Sequence, residues 1–280
     1  MPKAPFLERL HGASRSHQSW LCIGLDVDPQ RVPAAARGDD PAEWVPRFLL
    51  GVVEATHDLV CCYKPNLAFF EALGLPGQRA LRAVLQGIPP DVPVLIDAKR
   101  SDMENTMRAY ARALFDDLGA DAVTVNPYLG GDSLAPFLAY PDRGVFVLCK
   151  TSNPGAGEIQ DLRVDGDEPL FINIARRAQE WDQHGTVGLV VGATYPRDIA
   201  AVRQVAPDVP LLIPGVGAQA GDLAAAVQAA GEPAIINASR SVLYAASDGT
   251  TDWQARSRAE AARLRETIEL ARTRTATAVP

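Results

Sequence analysis

The chain has 280 residues, of which 47% are hydrophobic and 22% charged, and its formal net charge is −7. This composition is typical of a globular protein with enough apolar side chains for a full core, and no apolar run is long enough to span a membrane. The acidic balance, without a basic run, argues against nucleic acid or an anionic membrane as a partner.

Eight short apolar runs recur along the chain and predict β-strands. They are continuous rather than alternating in polarity, which is typical of parallel strands buried on both faces. In chain order, the runs are residues 21–26, 59–64, 92–99, 122–126, 144–150, 187–193, 210–215 and 233–239. Amphipathic segments between them predict helices, among them residues 41–56, 78–86, 106–118, 169–183, 196–205 and 222–230.

Eight strands that alternate with helices are the pattern of a (β/α)8 TIM barrel of the α/β class. An open doubly wound sheet is the alternative, and the absence of a G-x-G-x-x-G motif after the first predicted strand disfavours it. No linker or change in composition divides the chain. We therefore expect a single TIM-barrel domain over residues 1–280, with about 271–280 as a frayed tail.

The cysteines and histidines give no pattern of a disulfide framework, a zinc site or a histidine-based triad. The four histidines are scattered, and no two cysteines form a C-x-x-C pair. All four cysteines lie in apolar runs, and the charged N-terminal segment lacks the apolar stretch of an export signal. We therefore expect reduced core cysteines in a cytoplasmic protein.

Lysine is rare in this sequence, which has 27 cationic side chains and only four lysines. Three of the four, Lys64, Lys99 and Lys150, lie at the ends of predicted strands. Because the C-terminal ends of the strands face the active site in a TIM barrel, these lysines are candidate functional residues.

The third predicted strand ends in a charged segment. Asp97 and Lys99 are two residues apart, so both point to the same face of the strand. A buried carboxylate beside an ammonium is costly unless opposite charges surround each of them. Lys64 on the adjacent strand and Asp102 just beyond would complete an alternating row of four charges. The alternative is a structural ion-pair network at the barrel rim, but the third charge, on a neighbouring strand, favours a functional site.

A second candidate site follows the seventh and eighth predicted strands. A glycine-rich loop, residues 214–222 (PGVGAQAGD), opens a helix, and Arg240 follows the eighth strand. Backbone N–H groups of such a loop, a helix N-terminus and one arginine can together bind a phosphate, and barrels place phosphate sites at these two strands. The alternative is that the glycines only form tight turns.

The segment from Asp97 to Thr106 (DAKRSDMENT) resembles the D-x-K-x-x-D-I-x-x-T signature of the orotidine 5′-phosphate decarboxylase family, with Met103 where isoleucine is usual. Further matches follow other strands: residues 24–26 (GLD), 64–66 (KPN), 214–217 (PGVG) and Arg240. Residues 64–71 (KPNLAFFE), residues 150–154 (KTSNP) and the long connection over 151–168 resemble the longer bacterial branch, type 2. The resemblance covers about residues 21–244.

This resemblance implies a TIM barrel that decarboxylates orotidine 5′-phosphate to UMP without a metal or cofactor, the last step of de novo pyrimidine nucleotide synthesis. Lys99 would protonate C6, and Asp97, Lys64 and Asp102 would complete the catalytic network. The implied substrate-binding residues are Asp26, Asn66, Thr106, Ser152, Gly215, Gly217, Gln219 and Arg240. The family also implies a homodimer in which Asp102 and Thr106 reach the neighbouring subunit's site.

Three other functions remain open at this point. Sugar-phosphate decarboxylases and aldolases of the same superfamily share D-x-K-x-x-D, and they generally use Mg²⁺ to stabilise an enediolate. A class I aldolase needs a neutral lysine for its Schiff base, whereas carboxylates on both sides of Lys99 favour the charged ammonium. A catalytically idle nucleotide-phosphate binder would have no use for a costly row of buried charges.

Overall fold

The computed structural model describes residues 4–164, 166–216, 223–245 and 252–276. Eight parallel strands form its main sheet, and each overlaps one of the predicted runs. They are β1 (Leu21–Gly24), β2 (Cys62–Lys64), β3 (Leu95–Arg100), β4 (Ala122–Val125), β5 (Gly144–Lys150), β6 (Val187–Val191), β7 (Leu211–Pro214) and β8 (Ala234–Ala238).

The order of the strands closes the sheet into a barrel. Their sequence across the sheet is β2-β1-β8-β7-β6-β5-β4-β3. Bridges between Tyr63 and Val94 and between Asn66 and Asp97 then join the two outer edges, beside β2 and β3. The predicted TIM barrel is confirmed, and the carboxyl ends of its parallel strands therefore meet at one face.

Helices surround the barrel. They are α1 (Phe6–His17), α2 (Pro41–Thr56), α3 (Leu67–Glu71), α4 (Gly74–Gly87), α5 (Glu104–Ala111), α6 (Gly131–Leu138), α7 (Gly157–Gln160), α8 (Leu170–Trp181), α9 (Pro196–Val205), α10 (Leu223–Ala230), α11 (Arg240–Leu243) and α12 (Trp253–Ala276). The bounds of α2 and α9 are those predicted. At α2 the reason is local, since the Asp40 carboxylate accepts a hydrogen bond from the Ala42 N–H and proline is the first helical residue.

Two segments differ in detail from the sequence-based expectation. Helix α12 continues to Ala276, which is six residues into the segment expected to be a frayed tail. The long connection after β5 contains α7 and a small antiparallel hairpin of Arg163–Val164 with Glu168–Pro169, neither of which was predicted. We call the whole connection, residues 151–168, loop 5.

Among the described residues, no helix is both long and apolar enough to cross a bilayer.

The core explains why the strands are apolar along their whole length. One face of the sheet packs on the surrounding helices, and the other fills the barrel interior with buried side chains that include Cys22, Leu95 and Phe146. Phe6 of α1 joins this interior cluster, its ring 5.9 Å from that of Phe146 at an interplanar angle of 89°. Because apolar side chains occupy the interior, the buried charged side chains of the described chain lie towards the ends of the strands. Lys64, Asp97 and Lys150 lie on the carboxyl side, and Asp121 lies just before β4.

Candidate active site

The Asp97 carboxylate lies between two lysines at the carboxyl ends of β2 and β3. Its Oδ2 atom is 3.2 Å from the Lys64 Nζ atom, and its Oδ1 atom is 2.6 Å from the Lys99 Nζ atom. The side chains of Lys64 and Asp97 are only 4% and 11% exposed, whereas that of Lys99 is 47% exposed. The structure therefore brings three of the four predicted charges together and leaves one ammonium accessible from the barrel mouth.

A left-handed backbone at Lys99 gives this cluster its geometry. The φ angle of Lys99 is +46°, which is unusual for a residue other than glycine, and the register between β3 and β4 shifts between Ile96 and Arg100. The Thr124 Oγ1 atom on β4 accepts hydrogen bonds from the N–H groups of Ala98 and Lys99 at 3.0 and 2.9 Å. Strained backbone of this kind persists only where its surroundings hold it, and here one hydroxyl does so.

Thr124 is a residue of the site that the sequence analysis missed. Besides accepting two backbone hydrogen bonds, its hydroxyl donates to the Asp97 Oδ1 atom at 2.8 Å. A hydroxyl can serve in all three bonds because it has one donor and two lone pairs. The available signal in the sequence was one polar residue inside an apolar run (AVTVN), which is also common in buried strands without any function.

Asp97 and Lys64 are both buried, and both remain ionised. Burial by itself would raise the pKa of Asp97, but the charges of Lys64 and Lys99, with hydrogen bonds from Lys99 and Thr124, lower it to about 2. Burial by itself would lower the pKa of Lys64, but the nearby carboxylates of Asp26 and Asp97 raise it above its usual range. Near neutral pH the site therefore holds a fixed row of opposite charges.

Two predicted ligand-binding residues, Asn66 and Asp26, adjoin the row. The Asn66 side-chain amide donates to the Asp97 Oδ2 atom at 3.3 Å, and its Oδ1 atom accepts from the Ala68 N–H at the start of α3. The Oδ1 atom of Asp26, just beyond β1, is buried and has no hydrogen-bond partner among the described residues. Asp26 thus offers a free acceptor beside Lys64.

Asp102 and Thr106 lie apart from the row within one chain. The Asp102 carboxylate accepts a hydrogen bond from the Met103 N–H at 2.7 Å, and it pairs with no cation in the described part of the chain. Thr106 follows in the first turn of α5. The fourth member of the predicted row is therefore separate from the other three in the isolated subunit.

A cavity of about 340 Å³ opens beside the row, at the ends of β1, β7 and β8. Its walls include Asp26, Gly215 and Arg240, where Gly215 has a φ angle of +99° and Arg240 begins α11. Ser152 belongs to the same region, since its hydroxyl lies 3.6 Å from the point where a side chain on Gly215 would begin. The predicted residues Gly217 and Gln219 lie outside the described residues.

A larger cleft of about 1250 Å³ lies along α1 and α12, beside Asp208 and Glu232, which precede β7 and β8. It is therefore at the amino ends of the strands, opposite the charge row. Its acidic and basic side chains are equal in number, with four arginines against Asp208, Glu232, Glu266 and Glu269. The smaller cavity is the candidate site because Asp26 in its wall lies beside Lys64 of the charge row.

The fold and the site together define a TIM-barrel enzyme whose catalytic face carries a lysine–carboxylate network. Among the described residues, no group of three or more His, Cys, Asp or Glu side chains could hold a metal ion.

Comparisons with known proteins agree with this class. The family model described as "Orotidine 5'-phosphate decarboxylase / HUMPS family" matches residues 19–255. The chain is 52% identical over 270 residues to an orotidine 5′-phosphate decarboxylase of Thermomicrobium roseum, which covers 94% of this chain and 95% of that protein. A relative of the same name from Roseiflexus sp. is 50% identical over 271 residues, covering 95% and 98%.

A solved structure also supports the assignment to this family. The OMP decarboxylase of Leishmania donovani superposes with a TM-score of 0.83 at 40% identity, covering 96% of this chain and 99% of that one. The chain therefore belongs to the orotidine 5′-phosphate decarboxylase family.

Replacement of Thr124 by valine tests the role of its hydroxyl. Thr124→Val keeps the shape of the side chain but removes the acceptor for two partly buried N–H groups and the donor to the buried Asp97 carboxylate, so we expect the free energy of unfolding to fall by about 1–3 kcal/mol. Urea denaturation measures this change. Thr124→Ser is the matched control, because it retains the hydroxyl and should recover most of the loss. Equal stabilities of the valine variant and the wild type would contradict the assignment.

The low pKa of Asp97 predicts a dependence of stability on pH. Its value in the folded protein, about 2, lies below the usual 3.8, so its charge stabilises the fold above pH 3.8, and this stabilisation is lost as the pH falls through 2. Asp97→Asn removes the charge and should lower the free energy of unfolding by about 2 kcal/mol at pH 5 and above. The difference in the free energy of unfolding between Asp97→Asn and the wild type should shrink as the pH approaches 2. A difference that stays constant from pH 6 to pH 2 would show that Asp97 is not responsible.

Proposed function

We propose that this chain converts orotidine 5′-phosphate to UMP and carbon dioxide, the last step of de novo pyrimidine nucleotide synthesis. Relatives about 50% identical over nearly the full chain carry the name of this activity. The observation that carries the proposal is the Asp97 carboxylate held between Lys64 and Lys99 at the open end of the barrel. Such a cluster of opposite charges can act on a reaction that develops charge at carbon.

Lys99 is the proposed proton donor. When carbon dioxide leaves C6 of the pyrimidine, the electron pair of the broken bond stays on C6 with little resonance stabilisation. The half-exposed Lys99 ammonium can stabilise this charge and then transfer a proton to C6, which gives UMP. The lysine afterwards recovers a proton from solvent. The proposed reaction needs neither a metal nor a cofactor.

Asp97 and Lys64 provide the electrostatic environment in which this proton transfer occurs. The Asp97 carboxylate would lie near the carboxylate of the substrate, where it repels the bound substrate more than the transition state, in which the negative charge moves from the carboxylate onto C6. Lys64 keeps Asp97 ionised, as the low pKa of Asp97 indicates. Lys64 and Asp26 would also contact the ribose, and Asn66 would align Asp97.

The cavity beside the row would hold the rest of the nucleotide. Arg240 and the backbone at Gly215, together with Gly217 and Gln219, would bind the phosphate, and Ser152 would contact the pyrimidine. A volume of about 340 Å³ suits a small ligand, and Arg240 lies in its wall. Binding energy from the phosphate can drive closure of the site and so raise the rate of a distant step.

A homodimer would complete the site. Asp102 and Thr106 would reach the active site of the neighbouring subunit, where Asp102 would join the charge row. The lack of any ion pair to Asp102 within the described chain supports this arrangement. Met103, the residue after Asp102, has an apolar side chain that is 67% exposed, which suits a surface covered by a second copy.

The proposed activity is tested with the purified full-length protein, orotidine 5′-phosphate and excess EDTA. We expect the absorbance of the substrate to fall and UMP to accumulate at an unchanged rate when EDTA is present. No turnover of orotidine 5′-phosphate, together with Mg²⁺-dependent turnover of a sugar phosphate, would instead favour the sugar-phosphate enzymes of the superfamily.

Replacement of Lys99 by alanine tests the proton donor. Lys99→Ala should lower turnover by at least about 100-fold, since general acid catalysis contributes roughly 10²–10⁴-fold. The affinity for UMP should remain within a few-fold of the wild type, because UMP has no charge to stabilise at C6. The measurements are steady-state kinetics and a UMP titration. Retention of more than about a hundredth of the activity would exclude Lys99 as the donor.

Mixed dimers test the shared site. Homodimers of Lys99→Ala and of Asp102→Ala should each be nearly inactive. After subunit exchange, about half the dimers are mixed, and each mixed dimer has one site with both native residues, so about a quarter of all sites should be active. Mass spectrometry confirms the exchange, and the assay measures recovered activity. If exchange is complete and no activity returns, Asp102 acts within its own subunit.

A further inference from the structure

We propose that Lys150 is a positioning residue that holds Ser152 in the substrate site by fastening loop 5 to the barrel. The inference rests on the proposed function, in which Ser152 contacts the pyrimidine. Lys150 is one of four Lys, Arg, Asp or Glu side chains that are buried in the described structure, and the proposed mechanism does not use it.

The Lys150 ammonium joins three different segments. Lys150 is the last residue of β5, and its side chain is only 4% exposed. Its Nζ atom forms an ion pair with Asp161 of loop 5, lies 4.0 Å from the carboxylate of Asp198 in α9, and lies 5.1 Å from the ring centroid of Phe171 in α8. One buried cation therefore connects loop 5 to the two helices that flank it.

A second pair of contacts reinforces the connection at the next residue. The Thr151 N–H donates to the Gln160 side-chain oxygen at 2.9 Å, and the Gln160 amide donates to the Thr151 hydroxyl at 2.8 Å. Consecutive residues at the end of β5 are thus bound to consecutive residues of loop 5, Gln160 and Asp161. These contacts fix the position of Lys150 and Thr151, and with them the backbone position of the next residue, Ser152.

The end of β6 fixes Ser152 from the other side. The Gly192 N–H donates to the Lys150 carbonyl oxygen at 2.8 Å. A β-carbon on Gly192 would lie 2.8 Å from the Ser152 β-carbon and 2.9 Å from its nitrogen, so only glycine allows this approach. The Ser152 hydroxyl then faces Gly215, whose backbone lines the candidate substrate cavity.

The position of Lys150 favours an indirect role. Its side chain lines a separate cavity of about 300 Å³ with Asp161 and Asp198 and is only 4% exposed, so its ammonium faces these carboxylates and is not presented to a ligand. A buried ion pair is a weak source of stability, because the removal of both charges from water offsets most of their attraction. A buried lysine at this point is therefore better explained by the geometry that it imposes on loop 5.

A double-mutant cycle in the full-length protein tests the proposal. Lys150→Met keeps the length of the side chain and removes its charge, and we expect kcat/KM for orotidine 5′-phosphate to fall about tenfold, mainly through KM. Ser152→Ala should cause a similar loss. Because Lys150 acts through Ser152, Lys150→Met should change kcat/KM less than about threefold in the Ser152→Ala background.

Matched variants separate this effect from general damage to loop 5. Arg176→Met removes the exposed ion pair between Arg176 and Glu168, 3.3 Å apart, which also ties the end of loop 5 to α8, and it should leave kcat/KM unchanged. If Lys150→Met fails to fold, Asp161→Asn breaks the same link and enters the same cycle. The proposal would be overturned if the loss of kcat/KM in the double variant equalled the product of the two single losses. It would also be overturned if the Lys150 and Asp161 variants had wild-type kinetics. A wild-type protein without decarboxylase activity would instead overturn the proposed function.

Discussion

The attraction between the Asp97 carboxylate and two lysines is the interaction on which the site depends. A carboxylate this deeply buried would otherwise take up a proton, and a buried Lys64 would otherwise lose one. Each group supplies the opposite charge that the other needs, so both remain ionised. The exposed Lys99 then completes the cluster, with one ammonium free to meet a ligand. The barrel must hold these atoms in place, because a loose cluster would let water enter and weaken every interaction within it.

The barrel holds the charge cluster in place because apolar and polar residues occupy separate parts of each strand. The interior of the barrel is filled by side chains such as Phe146 and Leu95, with Phe6 of α1 packed against them. Charged groups therefore collect where the strands end, and the parallel order brings those ends to one face. There Thr124 holds the left-handed turn of the backbone at Lys99, which sets the direction of the ammonium.

The same design recurs at the end of β5. Lys150, like Lys64, is a buried lysine at the carboxyl end of a strand, and its carboxylate partners also come from other segments. The two lysines differ in what lies beside them. Lys64 lies beside Asp26, which lines the candidate substrate cavity, whereas Lys150 is surrounded by the anchoring residues of loop 5. In the proposed function, Lys64 carries charge for the reaction, whereas Lys150 holds loop 5 in place.

The sequence by itself determined a parallel sheet with helices on both faces, since eight continuous apolar runs need burial on both sides. It favoured the closed barrel over an open doubly wound sheet, and the bridges beside β2 and β3 decided between the two. It also identified the contact between Asp97 and Lys99, because residues two apart on a strand share a face. The position of Arg240 after the eighth strand made it a phosphate candidate, whereas Ser152 was named only by the resemblance to a family.

Only the tertiary structure decided which distant groups meet. Thr124 reaches Asp97 across 27 positions, and Asp198 approaches Lys150 across 48, and no pattern in the sequence singled out either contact. The left-handed backbone at Lys99 is likewise invisible to propensity, because lysine disfavours that conformation and adopts it here only under the constraint of the neighbouring strand. Asp102 is the clearest case: its spacing predicted that it joins the row, but within the described chain its carboxylate accepts from the Met103 N–H and forms no ion pair with Lys64 or Lys99.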